Sequence, residues 1–237
     1  MSRASEIKQI LQKKANPKKA ALYQRFFKTG KGEYGEGDLF LGITVPELRK
    51  IAKQYSDLSL AQIQLLLQST IHEHRLIALY ILVAQFEKAT KEHDEKKQKQ
   101  IVDFYVDNTT YINNWDLVDT SAHKILGVYY LHRSRKQLFV FVRSKNLWER
   151  RIAVIATFLF IQQNDFDDAL KIAALLLTDN HDLIHKAVGW MLREIGKRNQ
   201  QIEENFLKKH ASQMPRTMLR YAIEKLPEKK RKTYLKK

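Results

Sequence analysis

In the stretch Asn114-Trp115-Asp116-Leu117-Val118-Asp119, an indole and a carboxylate are spaced for joint chemistry. Trp115 and Asp119 are four residues apart, so a helix puts them on one face, a turn from each other. The chain carries a formal net charge of +16, which draws in polyanions, yet this spot presents a flat π surface and a negative charge. That pairing suits a cationic group held within a nucleic acid. The competing explanation is a core tryptophan beside an acidic residue at a helix start. Asn113 or Asn114 can cap a helix that Trp115 begins, which leaves Asp116 in the first turn, where it favours the positive helix end by about 0.3–1 kcal/mol. Asp119 lies a turn further on, so capping does not explain it.

Other groups are weaker candidates. Trp190 follows Gly189 inside a helical pattern, and a mid-helix glycine costs about 1 kcal/mol against alanine, so close approach of something there is expected. Local sequence alone also fits a buried tryptophan at 190. Trp148, beside Glu149, Arg150 and Arg151, reads as packing. His181 and His185 are four apart and His72 and His74 two apart, but neither pair matches His-Glu-x-x-His and no third ligand is evident, so no metal is expected. No local signature marks a serine–histidine or threonine nucleophile. The absence of cysteine excludes disulfides, thiolate catalysis and cysteine-ligated metals.

Helices must position these residues. Apolar residues recur at three- and four-residue spacing along nearly the whole chain, with no sustained alternation that would require strands. Arg75, Arg151, Lys186 and Arg220 each precede an apolar helical stripe, at steps of roughly 35 and 34 residues after Arg151 and about twice 38 before it. That period predicts an all-α, HEAT-like solenoid of helix pairs forming one domain over residues 1–237, with Trp115 to Asp119 in the middle repeat of the longer interval. The tetratricopeptide consensus is absent. Basic residues repeated in register predict a basic stripe on a concave face and salt-dependent polyanion binding. With Arg150, Arg193 and Arg216, the residues Lys186 and Arg220 are the candidate DNA contacts. Gly30 to Asp38 is the long irregular connection. It lacks the Gly-Lys-Ser/Thr of a phosphate-cradling loop, and Val45-Pro46-Glu47 starts a helix after it. The longest apolar run, Ile152 to Ile161, is too short to span a bilayer, and the N-terminus shows no hydrophobic signal region, which predicts a soluble cytoplasmic protein.

Five segments, in order, carry a resemblance: Asn16-Pro17-Lys18-Lys19-Ala20; Phe40-Leu41-Gly42-Ile43 with Pro46, Glu47 and Arg49; Trp115-Asp116-x-Val118-Asp119; Trp148-x-x-Arg151-x-Ala153; and Lys186-Ala187-x-Gly189-Trp190-x-Leu192-Arg193-Glu194. Over nearly its full length the chain resembles the AlkD-like family of DNA alkylation-repair glycosylases, built from HEAT-like repeats. The resemblance implies removal of N3- and N7-alkylated purines from duplex DNA by a cofactor-free monomer. It also implies Asp119 as the catalytic carboxylate, Trp115 and Trp190 as aromatic contacts to the lesion nucleotide, and Arg151 as a phosphate clamp. Catalysis through sugar contacts, without a snug base cavity, is implied too. Phe26 stands where the family pattern has tyrosine, Thr44 where it has glutamine, and the glycine-rich insertion before Asp38 is longer. These departures bear on lesion range and DNA grip. Two rival readings are a catalytically silent member that binds damaged or branched nucleic acid, and a protein-binding HEAT scaffold.

Overall fold

The computed structural model describes residues 2–236. Among them the regular structure is helical, with only an isolated bridge between Leu39 and Ile71. Two compact units form, Met1–Ser121 and Ala122–Lys237.

The first unit contains α1 (Arg3–Lys13), α2 (Pro17–Phe26), α3 (Val45–Gln54), α4 (Leu60–Leu67), α5 (His72–Lys91), α6 (Glu95–Asp107) and nearly all of α7 (Trp115–Ala122). Side-chain caps explain several starts: Ser2, Asn16, Ser59 and Asp94 each accept from a backbone N–H at the third position beyond. Pro17 fits the first turn of α2, where its missing N–H costs nothing. At α3, as expected after Thr44, Glu47 accepts from both the Thr44 backbone N–H (3.2 Å) and its hydroxyl (2.6 Å). The long α5 is the hub, packing against α1, α3, α4 and α6. It is buried nearly all round, including four consecutive polar residues, His72, Glu73, His74 and Arg75, at its start.

Those polar residues hold the glycine-rich connection. The Glu73 carboxylate accepts from the backbone N–H groups of Leu41 (2.9 Å), Gly42 (2.7 Å) and Ile43 (3.2 Å). Gly42 has φ of +80°, and a Cβ there would fall 2.3 Å from the Asn16 carbonyl oxygen. Only glycine fits that turn. A buried carboxylate and a left-handed glycine together bring the end of the connection against α2 and α5.

The second unit begins with a π-helical turn, His123–Gly127, and α8 (Val128–Tyr130). It continues with α9 (Lys136–Val142), α10 (Leu147–Gln162), α11 (Asp167–Leu175), α12 (Asp182–Arg198), α13 (Gln200–His210), α14 (Arg216–Ala222) and α15 (Glu228–Leu235). The helices α10 and α12 form its core, and α12 packs closely on α14. The approach expected at Gly189 is that of α14: a Cβ on Gly189 would lie 2.5 Å from both the Met218 carbonyl oxygen and the Tyr221 Cβ. The run Ile152 to Ile161 is the buried middle of α10, and no helix among the described residues is long and apolar enough to cross a membrane.

Candidate active site

The α7 helix divides cleanly by face. Leu117, Val118, Ser121 and Ala122 are buried, while Trp115, Asp116, Asp119 and Thr120 are half-buried. Both sets follow the i, i+1, i+4, i+5 pattern of opposite sides of a helix. Trp115 and Asp119 therefore share a face, and that face is away from the apolar core. On the core side the Ser121 hydroxyl donates to the Leu117 carbonyl (2.6 Å) and lies 2.9 Å from the Tyr105 hydroxyl. Burial pushes the Tyr105 phenol up, and the charge of Asp119 adds to that rise.

Trp115 is braced by aromatic rings. Phe27 stacks on it at 5.2 Å and 13°, and Phe26 meets it edge-on at 5.9 Å. Phe27 in turn stacks on Phe40 (5.0 Å), which stacks on the imidazole of His72 (4.6 Å). Phe26, one of the departures from the family pattern, is 65% exposed, so the position is a surface one.

Beneath the start of α7 lies a buried ionic cluster. His72 bonds through Nδ1 to Asp38 Oδ2 (3.2 Å) and through Nε2 to Asp116 Oδ2 (2.8 Å). The Arg75 guanidinium pairs with Asp38 Oδ1 at 2.6 Å, and the Asn114 amide donates to Asp38 Oδ2 at 3.2 Å. Burial alone would lower the His72 imidazole, but the Asp116 charge and the two carboxylate hydrogen bonds outweigh it and push His72 up to about 9. For Asp38, burial raises the carboxyl while His72 and Arg75 act the other way and hold it below the usual carboxylate range. At neutral pH the cluster thus matches two anions with two cations. Asn114 immediately precedes α7 and Asp116 is in its first turn, so the cluster ties the segment bearing Trp115 and Asp119 to α5 and to the end of the glycine-rich connection. Asp116 is in the first turn, as expected, and its Oδ1 accepts from the Leu117 N–H (2.9 Å), but its other oxygen serves His72.

An apolar cavity of about 530 Å³ opens beside this cluster, walled by Tyr23, Phe27, Phe40 and Leu48, with His72, Glu73 and Asp116 as its polar members.

In the second unit, Trp190 is half-buried on α12. Its indole N–H donates to Glu194 Oε1 (3.0 Å), and its ring is tilted against Phe158 at 5.9 Å. Arg151 is only 5% exposed and donates through Nη1 to the Leu183 carbonyl (2.5 Å), joining α10 to the start of α12. Trp148 is buried. Most of the candidate DNA contacts carry partners of their own. Arg150 pairs with the buried Asp179 at 2.6 Å and donates to the Ser144 and Lys145 carbonyls. Lys186 meets Asp182 at 2.6 Å, with both side chains substantially exposed, and Arg193 pairs with Glu224. Exposed pairs contribute about 0–1 kcal/mol, so the Lys186 pair holds that side chain only weakly, whereas the Arg150 pair is half-buried and structural. Arg216, which donates to the Leu235 carbonyl, and Arg220 are exposed on α14. Arg75, the earliest basic residue of the repeat, is buried in its ion pair rather than displayed on a surface. His181 caps α12 and His185 bonds the Asp179 carbonyl; among the described residues no acidic–histidine group is arranged to hold a metal.

The profile of the family described as DNA alkylation repair enzyme matches residues 7–226. The chain belongs to that family. Its fold is similar to a predicted DNA alkylation repair enzyme from Enterococcus faecalis, with a TM-score of 0.70, 22% identity, and coverage of 90% of this chain and 97% of that one. It is also similar to AlkD2 from Streptococcus mutans, with a TM-score of 0.59, 18% identity, and coverage of 78% and 91%. No functionally curated protein matches it.

Within this DNA alkylation repair fold, Trp115 and Asp119 come together on one helix face, as their spacing predicts. Asp38, His72 and Glu73 escaped the sequence reading. A signal for them existed: His72-Glu73-His74-Arg75 is an unbroken polar run heading the longest helix, and such a run is retained inside a core only when each member has a partner.

Proposed function

We propose that the chain is a monofunctional DNA glycosylase that hydrolyses the N-glycosidic bond of cationic N3- or N7-alkylated purines in duplex DNA. The observation that carries this reading is the placement of Trp115 and Asp119 together on the half-buried face of α7, opposite its core face. Membership in the DNA alkylation repair family supports DNA as the substrate.

An alkylated purine that already bears a positive charge leaves without protonation, so the general acid of ordinary glycosidases is not needed. The deoxyribose then gains positive charge as the bond breaks. A carboxylate about 4 Å from it attracts that charge by roughly 4 kcal/mol at an effective dielectric near 20, about three powers of ten in rate. Only the part gained between ground and transition state accelerates the step. Asp119 supplies this charge and aligns the attacking water, while the indole face of Trp115, one turn away on α7, adds about 0.5–2 kcal/mol of cation–π attraction. Neutral purines leave poorly, so the lesion's own charge provides selectivity. Water is the nucleophile and an abasic site with an intact strand is the product.

In this reading the cluster of Asp38, His72, Arg75 and Asn114 is positioning machinery. It fixes the first turn of α7 by buried charge, so the Asp119 carboxylate is preorganised rather than recruited. Lys186, Arg193, Arg216 and Arg220 supply phosphate contacts, whereas Arg151, buried and bonded to the Leu183 carbonyl, is spent on joining α10 to α12 instead of clamping a phosphate. The +16 charge of the chain favours the duplex as partner.

The test is release of 7-methylguanine from methylated duplex. Wild-type protein releases it, and Asp119→Asn lowers release by about a thousand-fold with duplex affinity within a few-fold of wild type. Release unchanged in Asp119→Asn overturns the mechanism. Binding without release by the wild type leaves a silent damage-binding protein.

A further inference from the structure

The 530 Å³ cavity between α2, α3 and α5 is within the size range of small-molecule sites, and its carboxylates and imidazole are already engaged. Both Glu73 oxygens accept backbone N–H groups, both His72 nitrogens face carboxylates, and Asp116 accepts from His72 and from the Leu117 N–H. A purine entering there would leave most of its hydrogen-bonding edges without partners, which disfavours it. A group with no such edges loses nothing. The mouth is also apolar, since Leu22, Phe26 and Val45 are 61%, 65% and 41% exposed, although large aliphatic and aromatic side chains ordinarily avoid gathering in water.

Charge says what carries that group. Lys18 and Lys19 precede Leu22 by four and three residues and Arg25 follows by three, so all three border Leu22 on α2. They are exposed, and α2 has no acidic residue in its first turn or elsewhere. An apolar hole with a cationic lip fits an apolar group attached to a polyanion.

We infer that this cavity is a specificity subsite that receives an uncharged aromatic substituent, of benzyl size or larger, borne by a base in the bound duplex. The inference rests on the glycosylase reading for its substrate. The subsite adds a preference for arylmethyl lesions over methyl lesions, through stacking on the Phe27–Phe40 wall and burial against Leu48. The sugar and leaving base stay with Trp115 and Asp119, and only the substituent enters.

Binding and turnover are measured separately. Duplexes containing N6-benzyladenine, whose glycosidic bond is stable, or unmodified adenine at the same position are titrated with full-length protein at one salt concentration. The benzyl duplex is expected to bind about ten-fold tighter, as partial burial of one ring implies. The double variant Leu22→Ser, Val45→Ser alters only exposed mouth positions and is expected to erase this difference while binding the unmodified duplex as wild type does. In turnover, kcat/KM for 7-benzylguanine should exceed that for 7-methylguanine in the wild type, and the variant should lose the excess but keep 7-methylguanine release. Equal affinity for the two duplexes, or a benzyl preference that survives in the variant, overturns the subsite. A benzyl preference in binding with no release of either cationic base sustains the subsite and refutes the glycosylase. Release of 7-methylguanine without any benzyl preference does the reverse.

Discussion

In residues 1–121 buried charge comes in matched sets, whereas residues 122–237 bury one acid nearly alone. Asp38 and Asp116 are set against His72 and Arg75, and the Glu73 carboxylate receives three backbone N–H groups. Glu203, only 2% exposed on α13, instead sits where a Cβ on Gly196 would collide with it, and its Oε1 has no hydrogen-bond partner among the described residues. Burial, with Glu204 adding like charge, pushes Glu203 up to about 8, so this acid solves its problem by remaining protonated. The tryptophans follow the same division. Trp115 stands beside a rigid ionic cluster and a stacked aromatic wall, while Trp190 is held by one half-buried glutamate and a tilted ring. Matched burial fixes geometry, and solitary burial makes stability depend on pH.

The largest effect should come from breaking the matched set. His72→Asn leaves two carboxylates facing Arg75 and is expected to cost about 3–5 kcal/mol in urea unfolding. A loss under about 1 kcal/mol would mean the cluster contributes nothing to the rigidity of the first unit. The sign with pH is also fixed. A folded value near 9, above the ordinary 6.5, gives stability that is fully present below 6.5 and declines as pH rises through 9. The variant should flatten that decline.

Next in size is Gly189→Ala, which drives a methyl into the Met218 carbonyl and should cost about 1–3 kcal/mol, read as a lowered Tm. Because the neighbour is backbone, relief requires α12 and α14 to separate. An unchanged Tm would mean the two helices tolerate a wider spacing.

Glu203→Gln sharpens the contrast between the units. A raised carboxyl contributes stability that is present below 4.5 and lost as pH climbs through about 8. The Tm advantage of the variant should therefore be small in acid and grow across that window. An advantage independent of pH would show that shape, not protonation, governs the site. The smallest effect is expected from Glu194→Gln, which keeps an acceptor for the Trp190 indole and removes a charge shared with Lys197, at a cost of about 0–1 kcal/mol. A loss comparable to that of His72→Asn would erase the distinction between the two tryptophan settings.

Local periodicity revealed the helices, the Pro46 start of α3 and the shared face of Trp115 and Asp119, because each depends on near neighbours along the chain. The ionic cluster did not show in this way. His72 reaches Asp38 and Asp116 across 34 and 44 residues of chain, and nothing local marks such pairs. Asp116 also had a sufficient local explanation as a first-turn acid, which concealed its tie to His72. The repeat period correctly aligned Arg75, Arg151 and Lys186 with helices, but period says nothing about direction. Arg75 and Arg151 are buried and Lys186 is not. The close approach at Gly189 was legible as a fact about backbone, though not that α14 makes it.

The connection from Gly30 to Gly37 is clasped where it leaves and rejoins the fold. The Gly35 N–H bonds the Lys28 carbonyl (3.1 Å), and the Leu39 N–H bonds the Thr70 carbonyl (3.0 Å). Between those clasps the tip is mostly exposed, with the Glu33 and Glu36 carboxylates accepting from the Gly30 and Gly32 N–H groups. Closure entropy rises so slowly that doubling such a segment adds only about 0.6 kcal/mol. Its length is thus free to drift between relatives without moving Asp38, and a fluorophore grafted at the tip would ride beside the basic helix as a proximity reporter while the machinery behind it stays untouched.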